Sequence, residues 1–485
     1  MNIKNKLIDL LGSDRVSDAP ATLEAYRTDY SLSSPGTPVC VVYPKDSKEI
    51  VSVVTLANET GTPVSPVSSR VHFTGSALPR QGGVVVDMKN MNKIWNLDER
   101  NRKITVEPGV TWNQLYPVLA EKNLMVCPPM LPHGDQSVIT TFLERSPLVI
   151  PLYEYAEPLL SMEVVWPNGT LFRTGSASAP TFPKSFAEGV NPEGPGTMDF
   201  YRLLQGAQGT MGIVTWAIIK TEYVSPMNKF FFFPFNKIED AIKPTYALLR
   251  KKIGYDCFIM NKLDMALICS EKYPNDFDVS MKKLPEWMLV LALRASRRRP
   301  EEKIQYETNA INDICRKFNG MQYLNSLPGS GHAAIRLTEI LRQPWTDEGP
   351  YWKHRLTGNC QDLLFITKLS KVPEFTEIMT KKAVEENFPV SNIGIYLQPI
   401  EGARVCHVEF NMYYDPKCDN DKAKVRRLHD EAAKAMLAQG ALFTRPYGSL
   451  SDMVYERAAS YTATIKRVKK IFDENNIMNP GHLCF

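Results

Sequence analysis

Residues 41–67 run Val41-Val42-Tyr43-Pro44-Lys45-Asp46-Ser47-Lys48-Glu49-Ile50-Val51-Ser52-Val53-Val54-Thr55-Leu56-Ala57-Asn58-Glu59-Thr60-Gly61-Thr62-Pro63-Val64-Ser65-Pro66-Val67. The opening β-branched run predicts a strand. Ser47 is the expected N-cap of a helix whose apolar stripe runs through Ile50, Val53, Val54 and Ala57 at helical spacing, and Gly61 is its stop. Pro63 to Pro66 then begins a second strand. Two strands joined by a crossover helix run in the same direction, so the stretch predicts a parallel pair. Working outward, Gly83–Met88, Lys103–Glu107 and Ser161–Trp166 are three more short strand candidates, the last closing in the turn Pro167-Asn168-Gly169. The first half of the chain therefore reads as an α+β domain.

From about residue 226 the pattern changes to aromatic-rich strands alternating with amphipathic helices. Phe230–Phe235 and Trp287–Leu293 are expected strands, with a helix at Ile238–Lys251 between them. Leu363–Leu369, Glu374–Glu386, Ile393–Pro399 and Val405–Tyr414 predict strand, helix, strand, strand, followed by a helix at Asp421–Gln439. This is a second, mixed sheet with helices on one face. His332 to Cys360 is rich in Trp, Pro, Gly and Arg and lacks periodicity, which reads as a long functional loop or lid.

The chain has 485 residues, 44% of them hydrophobic, enough for two or three domains with buried cores. A formal charge of +4 is too small to imply a nucleic-acid partner. Met1–Lys6 leads into only a short apolar stretch interrupted by Asp9, which is not a signal peptide, and no segment has the apolar length of a membrane span, so a cytoplasmic location is expected. The nine cysteines are scattered and never form Cys-x-x-Cys, which argues against a disulfide framework and against a bound iron–sulfur cluster.

Five segments, in order, resemble a known family: Val42–Val51 with Ala57–Val64; Gly82–Met88 with Met91–Ile94; Val106–Trp112; Gly206–Thr215; and Ile471–Gly481. The chain is thereby identified as similar to the vanillyl-alcohol oxidase and p-cresol methylhydroxylase family of FAD-linked oxidases. The resemblance implies an α+β fold with a two-part FAD-binding domain, residues 1–225 and 440–485, around a mixed-sheet α+β cap, residues 226–439. It implies a flavoenzyme that oxidises a small alcohol, phenol or hydroxy acid by hydride transfer to flavin N5, either alone or with a separate electron-acceptor protein, and able to form a homo-oligomer. Two alternatives stay open: a flavin-bearing electron-transfer subunit, and flavin adduct chemistry without net redox change.

The family's phosphate loop falls here on Ser68, Ser69, Arg70, Val71, His72 and Gly75, where small residues and backbone N–H groups can approach a pyrophosphate. Arg70 is expected to add charge to the phosphates. His72 is expected to hydrogen-bond flavin or phosphate rather than to carry it covalently, because the family's flavin-linking histidine falls on Val71; a non-ligand histidine is the third option. Pro132 and His133 lie where relatives pass the flavin, and a plain loop explains them equally. Gly209, Gly212, Ile213 and Val214 are expected along the ring, with Asn479 in the C-terminal signature.

In the cap, Arg404 to Asn411 alternates, so His407, Glu409 and Asn411 share one strand face. Three polar groups on one face read as an active-site wall, with His407 as general base, Glu409 beside it and Asn411 and Arg404 for substrate. A solvated edge strand is the rival reading. Arg445 falls where phenol-oxidising relatives hold the substrate anion, and is expected either to do that or to support negative charge on the reduced flavin, with Tyr447 nearby; Thr444 replaces the tyrosine that precedes this arginine in those relatives, which weakens a phenol assignment. The His-x-Gly-Asp-Gly-Asn metal segment of many D-2-hydroxy-acid relatives is missing, which lowers the hydroxy-acid reading without abolishing it, and no metal is expected.

Overall fold

The computed structural model describes residues 3–150, 158–178, 198–318, 320–328, 337, 341, 343–345 and 349–485. The helix of the deciding stretch spans Ser47–Thr60. Its N-cap is Asp46, whose carboxylate accepts the Glu49 N–H at 3.0 Å, rather than Ser47, whose hydroxyl instead donates to Glu163 Oε1 at 2.8 Å. Gly61 ends it in the left-handed region at φ 60°. Ile50, Val53, Val54 and Ala57 are buried as expected.

The flanking strands Cys40–Val42 and Val64–Val67 are parallel members of one sheet, but they do not pair with each other. Val84–Asp87 lies between them, parallel to both. All four of its residues are buried, as a strand covered on both faces requires. A second, antiparallel sheet orders Ile94–Asp98, Lys103–Val106, Ile213–Lys220, Leu159–Val165 and Leu171–Arg173.

The C-terminal signature extends the first sheet. Val64 N–H donates to Ile477 O at 2.7 Å and Asn479 N–H to Val64 O at 2.8 Å. Asp473 explains the turn between helix Ala459–Phe472 and this edge, because its carboxylate accepts the N–H groups of Ile477 and Met478 at 2.9 and 2.8 Å. The buried Lys469 ammonium ties the same turn to the glycine-rich segment, donating to Asp473, to Met478 O at 3.1 Å and to Thr210 O at 2.5 Å. Lys469→Met leaves these acceptors without their cation. We expect a loss of about 3 kcal/mol in unfolding free energy, read by thermal melts.

The third sheet, six-stranded among the described residues, orders Met227–Phe235, Trp287–Ala295, Asp256–Asn261, Ile393–Ile400, Val405–Tyr414 and Asn359–Thr367, all antiparallel. Alternation divides its side chains between two cores. Phe231 and Phe233 pack with helices Ile238–Arg250, Pro300–Lys317, Val372–Glu385 and Asp419–Ala438, while Phe230 and Phe232 face the opposite side. There a further helix, Lys262–Cys269, lies on the sheet, so helices occupy both faces rather than one. On Val405–Tyr414 the even residues Cys406, Val408, Phe410 and Met412 fill the first core. The odd residues, His407, Glu409, Asn411 and Tyr413, therefore share the other face. Of the segment read as a lid, 332–360, most positions up to 348 lie outside the described residues; its described end carries the short helix Trp352–His354. None of the described helices is long and apolar enough to cross a membrane.

Candidate active site

Three segments meet in a crevice between the first two sheets: the loop after Val67, the helix Val138–Leu143 and the glycine-rich run 206–214. Pro66, Ser68, His72, Ser76, Thr140, Gly209, Gly212, Ile213 and Val214 line it. Hydrogen bonds lock the segments together. Ser68 and Thr140 share a hydroxyl–hydroxyl bond, and Ser69 Oγ accepts the Ser137 N–H at 3.2 Å. Asn479 Nδ2 donates to Ser76 O at 2.9 Å and to Gln208 O at 2.7 Å. Gly209 has φ 70°, and a Cβ there would meet Pro66 Cγ at 2.8 Å; one on Gly212 would meet Val165 O at 2.9 Å. The chain can therefore approach this closely only as glycine.

These residues fit an anionic, hydrogen-bond-accepting cofactor such as FAD. The crevice presents serine and threonine hydroxyls, small residues and one buried imidazole, with the Glu144 carboxyl at the end shared with the neighbouring cavity, and His72 Nε2 has no partner among the described residues. Burial depresses the His72 pKa below its usual value, with nearby Asp29 opposing, so the ring is a neutral hydrogen-bonding group at pH 7.

Other residues of the expected cofactor set are placed differently. The Arg70 guanidinium donates to Ala25 O at 2.7 Å and lies over the Tyr26 ring at 4.6 Å, turned away from the crevice. It leaves the crevice without that charge. Val71 is buried but does not line the crevice. Gly75 packs on the Ser31–Ser33 turn, where a Cβ would meet Ser33 Oγ at 2.2 Å. Asn479 clamps the walls together rather than lining them. Pro132 lines the cavity described next. His133 accepts the Asp135 N–H at 3.1 Å, and its ring centre lies 5.1 Å from that of Tyr351, outside both hollows.

The crevice runs into a second cavity of about 120 Å³, the two sharing His72, Ser76, Thr140 and Glu144. One wall is the six-stranded sheet, with Tyr396, Glu409, Asp362 and Leu364, and Tyr351, Trp352, Lys353, Arg445 and Tyr447 also line the cavity. The register explains the convergence, since Glu409 lies opposite Tyr396 on one neighbouring strand and Leu364 on the other. Asp362, two residues from Leu364, points the same way.

Lys353 organises the wall. Its ammonium is 2.6 Å from both Glu409 Oε1 and Asp362 Oδ2, and His407 Nε2 is 3.2 Å from Glu409 Oε2. Burial favours neutral Glu409, but Lys353 and His407 outweigh it and hold the carboxyl well below the usual range. Asp362 goes the other way: burial raises it despite Lys353. His407 is lowered by burial against the pull of Glu409 and is 1% exposed. It does not line the cavity but stands behind Glu409.

Arg445 is 6% exposed and lines the cavity; among the described residues it has no ion pair and its Nε has no partner. An unpaired buried cation is costly unless an anion joins it. Tyr447 donates to Glu144. The remaining two substrate expectations do not survive the geometry. Asn411 donates to buried Asp264 at 2.7 Å, beneath the cavity; Arg404 is 80% exposed at a strand end, beside Glu401. Lys353, Asp362, Tyr396 and Glu144 were not legible in the sequence, though the polar pair Gln361-Asp362 at the head of the apolar run Leu363–Ile366 held a signal for one of them.

The crevice, the cavity and the cap define a flavin-dependent oxidoreductase. Residues 38–175 match the FAD binding domain family. Over 99% of its length the chain is 27% identical to the glycolate oxidase subunit GlcD of Bacillus subtilis, covering 96% of that protein. It is 23% identical to the mitochondrial D-lactate dehydrogenase [cytochrome] of Arabidopsis thaliana, over 92% of this chain and 74% of the relative. In fold it is similar to p-cresol methylhydroxylase with substrate bound, with a TM-score of 0.83, 19% identity and coverage of 100% and 96% of the two chains. Residues 38–175 thus carry a FAD binding domain, and the chain shares its fold with p-cresol methylhydroxylase.

Proposed function

We propose that this enzyme oxidises a hydroxyl-bearing carbon of a small organic acid, binding the substrate's anionic group on Arg445 and passing its hydroxyl proton to Glu409. The observation that carries the reading is the pairing of opposites in one cavity: a buried arginine without an ion pair among the described residues, and a carboxylate held ionised by Lys353. Ser68, His72, Thr140 and the backbone of 209–214 hold the FAD, which when bound accepts the electron pair of the substrate C–H bond. Arg445 fixes the substrate's orientation, so that reaction starts from an aligned pair rather than a free encounter. Glu409 is the proton acceptor in place of His407, because it lines the cavity while His407 does not; His407 orients it. Tyr396, Phe73, Tyr351 and Trp352 give the cavity apolar walls, which strengthen both charged contacts by excluding water.

A phenol, with its phenolate oxygen on Arg445, is the second reading. The likeness to p-cresol methylhydroxylase favours it, whereas Thr444 and the engagement of Tyr447 by Glu144 favour the acid. Anaerobic addition of 2-hydroxy acids, alcohols and phenols to the FAD-loaded protein separates them, since the true substrate bleaches the flavin band. Glu409→Gln should slow that bleaching by about 10²- to 10⁴-fold with flavin still bound. Bleaching at the wild-type rate would assign the proton elsewhere.

A further inference from the structure

A larger chamber, about 380 Å³, lies on the other side of Asp362 and Arg445. It shares Phe73, Thr74, Asp362, Leu364, Arg445 and Tyr447 with the reaction cavity, and exposed Arg426, Ser449 and Asp452 form part of its lining, so it reaches solvent. Glu409 lines only the inner cavity. A base enclosed there must lose its proton before the next turnover. His407, 1% exposed and lining neither hollow, gives no exit.

We propose that Lys353 and Asp362 carry the proton taken up by Glu409 out of the reaction cavity and into this chamber. Glu409 Oε1, Lys353 Nζ and Asp362 Oδ2 form a continuous chain with both links at 2.6 Å, and Asp362 is the member that touches both hollows. Oxidation sends the substrate C–H hydrogen and its electron pair to the FAD, and the O–H proton to Glu409. Lys353 first gives one N–H proton to Asp362 Oδ2, and the lone pair this frees then takes the proton of Glu409 as its O–H bond breaks. Lysine is neutral only in passing and ends as the ammonium it began as. Asp362 finally releases the proton to water in the chamber. The Cys360 thiol donates to Asp362 Oδ1 at 3.2 Å and leaves Oδ2 to receive. The direction is downhill, because the surroundings hold Glu409 low and Asp362 high; Arg445, Glu144 and His72 in the cavity, His407 behind Glu409, and Asp264 beneath the sheet are the other charged or titratable groups nearby.

The relay rests on the proposed function, and one experiment separates the two. Using FAD-loaded protein, a substrate that bleaches the wild type and an artificial electron acceptor that reoxidises the flavin, steady-state turnover is followed in Asp362→Asn, which keeps the side chain's shape and removes its ability to take the proton. The expected result is a rate about 10²-fold lower that rises again with added formate, a proton acceptor small enough for the chamber. Flavin absorbance confirms that the cofactor is retained. A variant as fast as wild type, or one slowed but indifferent to formate, overturns the relay alone. A wild-type protein that none of the candidate substrates bleaches overturns the proposed function and the relay with it.

Discussion

Arg445→Ala should leave the protein yellow and folded while its kcat/KM for flavin reduction falls by about 10²- to 10³-fold, the equivalent of roughly 3–4 kcal/mol for truncating one member of a buried charge pair. The size follows from where the charge lies. Arg445 is 6% exposed and has no ion pair among the described residues, so a bound anion meets an undissipated positive charge in a water-poor cavity. The same fact predicts an unusual companion result. An unpaired buried guanidinium destabilises the free protein, so Arg445→Met should melt at or above the wild-type temperature while losing activity. Arg445→Lys should recover part of the rate, because it restores the charge but not the planar fork. Loss of the flavin from Arg445→Ala would instead place the residue in the cofactor site, and an unchanged kcat/KM would remove the anion from Arg445.

Legible and illegible features of this sequence divide along a physical line. Local patterns were legible. The Val405–Tyr414 strand falls within its expected bounds because alternation is a property of neighbours in sequence. The common face of His407, Glu409 and Asn411 follows from the same period. Which of the three reaches the cavity depends on register with two other strands and on Asp264, which draws Asn411 away. Lys353 was hidden more completely. It lies in an aperiodic segment, 9 residues before Asp362 and 56 before Glu409 in sequence, and only the sheet order brings the three together. The insertion of Val84–Asp87 between the first two parallel strands was beyond reach for the same reason: the crossover helix fixes direction but not adjacency. Arg70 shows the opposite error. A cation in a phosphate loop was a reasonable ligand, but the distant Tyr26 offered its side chain a ring and Ala25 a carbonyl.

Lys353→Met should invert the pH dependence of stability at the cap wall. In the wild type Glu409 is depressed below its ordinary 4.5, so its contribution is present above that pH and lost as pH falls through the lower folded value. Asp362, raised above its ordinary 3.8, does the reverse: its contribution is full below 3.8 and lost as pH rises through the folded value. Removing the ammonium leaves Asp362 to burial, which favours its neutral form, and leaves Glu409 with burial opposed by His407. Asp362 then sits further above its unfolded value and Glu409 loses its largest charge partner, so stability should fall as pH rises from about 4 toward 7. Near pH 4, where both can be protonated, Met fits as an apolar replacement and the deficit should be small. At pH 7 at least one buried charge is uncompensated, and the deficit should reach about 3–5 kcal/mol. Thermal melts of the FAD-loaded protein at the two pH values read the difference directly. An equal deficit at both would mean that Lys353 contributes packing rather than charge. The wall would then need another source for the ionised Glu409 on which proton removal from the substrate depends.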